Sequence, residues 1–190
     1  MFDPRLKCLN ALAGVMYQLG CGSYFTRALD SLAIDKPAPL TILVLCQGNI
    51  CRSAYAEAKL QQLLKGRHCS NVSVKSAGVA TADGKSADAA AVQAAALRGI
   101  DLSGHRTTRV TAELLAGADL VLLMDPYQRD AIRVLSPGAL KKTMYLGALS
   151  AGDGFGLTIA DPFGREPECF RKCFERIDFA MERLAEHLYG

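Results

Sequence analysis

The stretch that most limits what this chain can become is TILVLCQGNICRSAYAEAKL, residues 41–60. Five residues of buried-strand character run into Cys46, a short turn containing Gly48 follows, and Ala54, Ala56, Glu57, Ala58 and Leu60 then read as a helix. A strand that stops in a tight loop and restarts as a helix can aim successive backbone N–H groups at one point, with the positive end of the helix dipole behind them. Such a unit is an anion cradle, and its strand needs a sheet.

The rest of the chain supplies one. Short aliphatic or β-branched runs predict strands over 41–46, 72–77, 119–124 and 142–146, and longer helical patterns predict helices over 52–65, 86–99, 127–135 and 166–188. This alternation predicts an α/β domain, a four-stranded parallel sheet flanked by helices. The last helix is amphipathic through Phe170, Phe174, Ile177, Met181, Leu184 and Leu188. Segments 78–85 and 147–165 carry glycines and are expected as loops at strand ends, where open α/β sheets bind ligands.

Ahead of the sheet, residues 5–34 show apolar positions at helical spacing with a Gly20-Cys21-Gly22 break, which predicts two short helices. Lys36-Pro37-Ala38-Pro39 reads as a linker. The expected organisation is therefore a helical N-terminal extension and linker over 1–39 and one domain over 40–190. Residues 11–22 follow Arg5 and Lys7 in the manner of a weak export leader, but Asp3, Pro4 and Asn10 interrupt it and no small-x-small cleavage site follows.

Composition narrows the class. A net charge of +3 without a basic stripe argues against a nucleic-acid partner. Seven cysteines at irregular spacing do not form the framework of a small secreted domain, so reduced thiols and a cytoplasmic location are expected. No apolar run reaches the roughly 18 residues of a membrane span. His68 and His187 lack metal-ligand spacing, and no metal site is expected.

Chemistry concentrates in the cradle. Cys46 ends the strand and Arg52 opens the helix. A thiol near a helix N-terminus and a guanidinium loses its proton readily, which makes Cys46 a nucleophile. The planar fork of Arg52 matches two phosphate oxygens. Ser53 can donate to the sulfur, and Asn49 can pin a loop in unusual backbone geometry. Gln47, Gly48, Ile50 and Cys51 complete the lining; Cys51 reads either as core filler or as a resolving thiol for an oxidised Cys46.

CQGNICRS resembles the signature loop of the low-molecular-weight protein tyrosine phosphatases, matching at Cys46, Gly48, Asn49, Cys51, Arg52 and Ser53. The resemblance runs over about 40–190, through Ser76-Ala77-Gly78, Gly99 to His105, Asp119 to Asp125, and Ala160-Asp161-Pro162-Phe163. It implies hydrolysis of phosphotyrosine through a phosphocysteine on Cys46, with Arg52 on the phosphate, Asp161 as general acid and Phe163 beside the substrate. It implies no cofactor. The implied partner is a phosphotyrosine protein, with a bacterial tyrosine autokinase of polysaccharide export as one candidate. Oligomers through the N-terminal extension are compatible with its apolar stripes.

The family's usual aromatic after Ser-Ala-Gly is missing from Val79 to Lys85, Gly164 follows Phe163 where many members have a second aromatic, and Ala54 replaces a usual proline. Asp125 reads as a structural carboxylate, and His105, Arg106 and Arg109 as a polar turn more than a phosphate-reading patch. The rival on the same scaffold, an arsenate reductase, needs redox cysteines after the third strand, and 115–135 holds none. A phosphotyrosine-binding module would need a damaged nucleophile or acid.

Overall fold

A computed structural model describes residues 39–66, 71–150 and 156–189. The two helices expected within 5–34, residues 36–38 of the linker and His68 lie outside these residues.

Four strands form one parallel sheet: β1 (Leu40–Cys46), β2 (Val72–Gly78), β3 (Leu120–Leu123) and β4 (Thr143–Tyr145), in the order β2-β1-β3-β4. The register pairs Cys46 with Gly78, and Leu45 with both Ala77 and Leu123. The strand order reverses direction between β1 and β3, so the crevice of this open sheet lies beyond the carboxyl ends of those two strands. Cys46 ends one of them.

Side-chain alternation along β1 builds a core on each face. Ile42, Val44 and Cys46 point toward one cluster, which contains Leu60, Phe170, Phe174 and Ile177, while Leu43 and Leu45 point toward the other, with Leu115 and Ile132. Three helices cover the first face: α1 (Arg52–Gly66), α2 (Ala89–Ala96) and α5 (Pro167–Tyr189). Two more cover the second: α3 (Ala112–Gly117) and α4 (Pro126–Leu135). All six residues of the apolar stripe on α5 are buried. Phe174 stacks on Tyr55 of α1 at 3.9 Å between ring centroids. None of the helices among the described residues is long and apolar enough to cross a membrane.

The sequence reading differs from this structure mainly at helix ends. The helix expected over 86–99 is confined to 89–96, because Asp88 caps it by accepting from the N–H groups of Ala90 and Ala91, while Ser86 pairs with Arg106 in an isolated bridge. The six residues of α3 carry too few turns to show a period. Within the 147–165 loop, the segment Leu146–Ser150 is a short 3-10 turn.

Candidate active site

Between β1 and α1 the chain curls through residues 47–51, and the fate of its carbonyls explains its shape. The carbonyls of Cys46 and Gln47 accept from Val79 and Ala80 N–H at 3.0 and 2.9 Å, and that of Ile50 accepts from Asp88 N–H at 3.0 Å. The Asn49 carbonyl has no hydrogen to give, so His105 Nε2 donates to it at 2.7 Å. With these carbonyls turned outward, the N–H groups of the curl face its concave side. Asn49 has φ of 54°, a left-handed conformation that asparagine tolerates better than other side-chain-bearing residues.

Asn49 is fully buried and its amide is saturated. Nδ2 donates to Ser53 Oγ at 2.9 Å and Ser76 Oγ at 2.8 Å, and Oδ1 accepts from Thr108 N–H at 2.8 Å. Ser76 passes its own hydrogen to Glu57. Because Ser53 already accepts from Asn49, its hydroxyl hydrogen is left to point at Cys46 Sγ, 2.9 Å away. The Asn49 N–H adds a second donor at 3.2 Å. Burial raises the Glu57 carboxyl above its ordinary value, with the Ser76 hydroxyl opposing.

Arg52 is buried below the curl. Nη1 donates to Asp125 Oδ2 at 3.2 Å and to the Ile159 carbonyl at 3.1 Å, and Nη2 donates to Asp161 Oδ2. Burial works against the guanidinium charge, and the negative charge of Cys46, Asp161 and Asp125 outweighs it, holding Arg52 above its ordinary value. Its Nε–H is buried and has no hydrogen-bond partner. A buried donor without an acceptor is costly, and an acceptor from outside the chain would relieve it.

The two carboxylates differ in their freedom. Asp125 caps α4 by accepting from Tyr127 N–H at 3.0 Å, and Gln128 braces it through Nε2 at 2.6 Å, so its side chain is only 14% exposed. Asp161, on the loop ahead of α5, is 43% exposed. The sequence reading took Asp125 as structural; the structure shows in addition that it fixes Arg52.

Of the remaining residues singled out from sequence, Gln47 is exposed at the rim and Ile50 is half-buried. Cys51 is buried in the core beneath the curl, and that burial pushes its thiol well up. Phe163 is 57% exposed, two residues past Asp161. His105 supports the curl, whereas Arg106 bonds to the carbonyls of Ser103 and His105 and stays within its own turn. Cys173, read as part of a helix face, is buried within electrostatic reach of Arg52 and Asp161, and burial pushes its thiol up to about 12.

Sequence reasoning passed over Arg176. From α5 it donates to Ser150 Oγ at 2.9 Å, to the Thr158 carbonyl at 2.5 Å and to the Gly156 carbonyl, and so lashes down the segment that leads to Ile159 and Asp161. Burial lowers its guanidinium to about 10. An arginine on the polar flank of an amphipathic helix carries no sign of that task in its spacing.

Known proteins match this chain over the sheet and the helices around it. Residues 41–189 match the family model described as low molecular weight phosphotyrosine protein phosphatase. A relative from Ralstonia nicotianae, named probable low molecular weight protein-tyrosine-phosphatase EpsP, is 41% identical over 142 residues, covering 75% of this chain and 91% of that one. A protein-arginine-phosphatase from Geobacillus stearothermophilus is 37% identical over 151 residues, covering 79% and 97%. Among solved structures, Vibrio vulnificus Wzb in complex with benzylphosphonate superposes with a TM-score of 0.68 at 34% identity, covering 77% of this chain and 97% of that one. With the family model spanning the whole sheet and the helices around it, this chain belongs to the low-molecular-weight phosphotyrosine protein phosphatases.

Proposed function

We propose that this protein hydrolyses phosphotyrosine in proteins, with Cys46 as nucleophile, Arg52 as phosphate ligand and Asp161 as general acid. The observation that carries this reading is the unpartnered Nε–H of Arg52, buried beside a sulfur that two donors already address. A dianionic phosphoryl group satisfies that donor and the N–H groups of the curl together. For Nη2 to reach a second phosphate oxygen, Asp161 releases it and turns toward the leaving oxygen. Its exposure on a loop leaves it free to do so.

The sulfur lone pair attacks phosphorus opposite the ester oxygen, forming an S–P bond as the P–O bond breaks. Electrons from that bond go to the phenolic oxygen, which takes the Asp161 proton. Arg52 and the loop amides stabilise the three equatorial oxygens through the trigonal transition state. Water then attacks phosphocysteine while Asp161 accepts its proton. The Ser53 hydroxyl supports sulfur as it departs with the S–P electrons.

Relatives of this chain are named as tyrosine and as arginine phosphatases. Ile50 at the cradle wall and exposed Phe163 beside Asp161 offer apolar contact to a phenyl ring, which favours the tyrosine ester. A tyrosine autokinase of polysaccharide export is the protein substrate that the family resemblance points to, and the four free cysteines among the described residues fit a reducing, cytoplasmic setting. Turnover of matched phosphotyrosine and phosphoarginine peptides by wild type and Cys46→Ser tests the assignment. Phosphotyrosine should be preferred and the variant inactive; preference for phosphoarginine would reassign the substrate, and equal rates from both proteins would remove Cys46 from the mechanism.

A further inference from the structure

Beside the cradle, α2 and the first turn of α5 leave a groove of about 400 Å³. Ala90, Ala94 and Leu97 line one wall at helical spacing, and Pro167 and Phe170 line the other. Leu97 is 90% exposed, so the core does not account for it. Arginines stand around this apolar floor. Arg98 and Arg171 are held by Asp178, Glu168 and Glu175, whereas the exposed Arg165 side chain has no hydrogen-bond or ion-pair partner among the described residues.

Both walls begin at the active site. Asp88, the cap of α2, binds the Ile50 carbonyl of the cradle, and Arg165 lies four residues after Asp161. From Asp88 to Leu97 the helix rises about 14 Å at 1.5 Å per residue, a length that an extended peptide covers in about four residues. A polypeptide whose phosphotyrosine sits in the cradle therefore reaches the far end of the groove within its immediate flank.

We propose that this groove receives the substrate segment flanking the phosphotyrosine, seating an apolar side chain against Leu97, Ala94 and Pro167 and a carboxylate against Arg165. The proposal rests on the phosphotyrosine reading above and adds a sequence preference to it. Arg165, unpaired among the described residues, and the apolar floor of the groove reject a lysine-rich, polar flank for want of either contact.

The test uses the full chain and phosphotyrosine peptides with leucine and glutamate placed within five residues on either side, against peptides with serine and lysine there. Wild type should favour the leucine–glutamate flank by about tenfold or more in kcat/KM, the scale of one buried apolar side chain. Leu97→Asp combined with Arg165→Glu should lose most of that preference while p-nitrophenyl phosphate turnover, which needs no flank, stays at wild-type level. Equal treatment of the peptides by wild type, with p-nitrophenyl phosphate still hydrolysed, overturns the groove and spares the phosphatase. Preference persisting in the double variant overturns it too, as does a change in light-scattering mass that leaves the preference untouched, since the groove would then seat a second copy. Failure of wild type to hydrolyse any aryl phosphate removes both readings.

Discussion

Single residues divide here into those whose job the sequence states and those it conceals. Cys46, Arg52 and Ser53 are legible because their spacing on a strand–loop–helix unit already gathers them at one loop, where Ser53 Oγ lies 2.9 Å from Cys46 Sγ. Asp161 is legible through family resemblance alone, since Asp-Pro by itself is ordinary turn chemistry. Asp161→Asn should slow phosphotyrosine hydrolysis by roughly 10²–10⁴-fold but affect an aryl phosphate with an acidic phenol much less, because that leaving group departs without a proton. Equal losses on both, read by steady-state kinetics, would make Asp161 a loop-positioning residue. Gly78 faces the cradle directly: a Cβ there would lie 2.9 Å from Thr81 Cγ2 and 3.0 Å from the Gln47 carbonyl oxygen. Gly78→Ala should destabilise the fold by about 1–3 kcal/mol and weaken competitive inhibition by inorganic phosphate. Unaltered phosphate inhibition would show that the curl does not depend on that close approach. Cys51 tests redox protection. Brief peroxide should convert Cys46 to its sulfenic acid, which Cys51 captures as a disulfide with loss of water, so dithiothreitol restores wild type but not Cys51→Ser. Burial holds the Cys51 thiol protonated and slows that capture, so recovery should improve as the pulse is made at higher pH. Equal recovery of the two proteins would leave Cys51 as core filler.

Elements were readable in proportion to how strongly burial forces their pattern. Strands β1 and β3 lie inside the sheet between two cores, and their aliphatic runs leave little choice. The end of α2 was misplaced because an alanine-rich run continues a helical pattern past the point where Asp88 and tertiary pairing at Ser86 set its start. The support of the Asp161 loop was unreadable, since Arg176 acts on carbonyls 18 and 20 residues away in sequence, a relation only the folded packing creates. Arg176→Leu should therefore loosen residues 156–159 and copy Asp161→Asn in kind: kcat falls more for phenols of high pKa than for acidic ones, with phosphate inhibition near wild type. Arg176→Lys, restoring a charge and one donor, should recover part of the loss. A uniform fall in rate across leaving groups, or one explained by a lowered melting temperature alone, would reduce Arg176 to a structural brace.

At the scale of the whole molecule, everything that touches phosphate in this reading lies beyond residue 45, at the carboxyl edge of one sheet. Residues 1–38 are thus expected to be dispensable for chemistry. Deleting them should leave kcat near wild type while changing solubility or oligomeric state, because their apolar stripes call for a partner surface. A tenfold or greater fall in kcat with the circular dichroism intact would show that they shape the site. In this reading the sheet, the buried arginine and the exposed Asp161 carboxylate all serve one transient bond, between Cys46 sulfur and phosphorus. The most direct measurement is rapid acid quench of Asp161→Asn turning over an aryl phosphate with an acidic phenol, followed by peptide mass spectrometry. Without its base the second step slows, so one phosphoryl group should accumulate on the peptide that contains Cys46 and vanish in Cys46→Ser. Phosphate carried by any other side chain, or full turnover with Cys46 replaced, would overturn the mechanism.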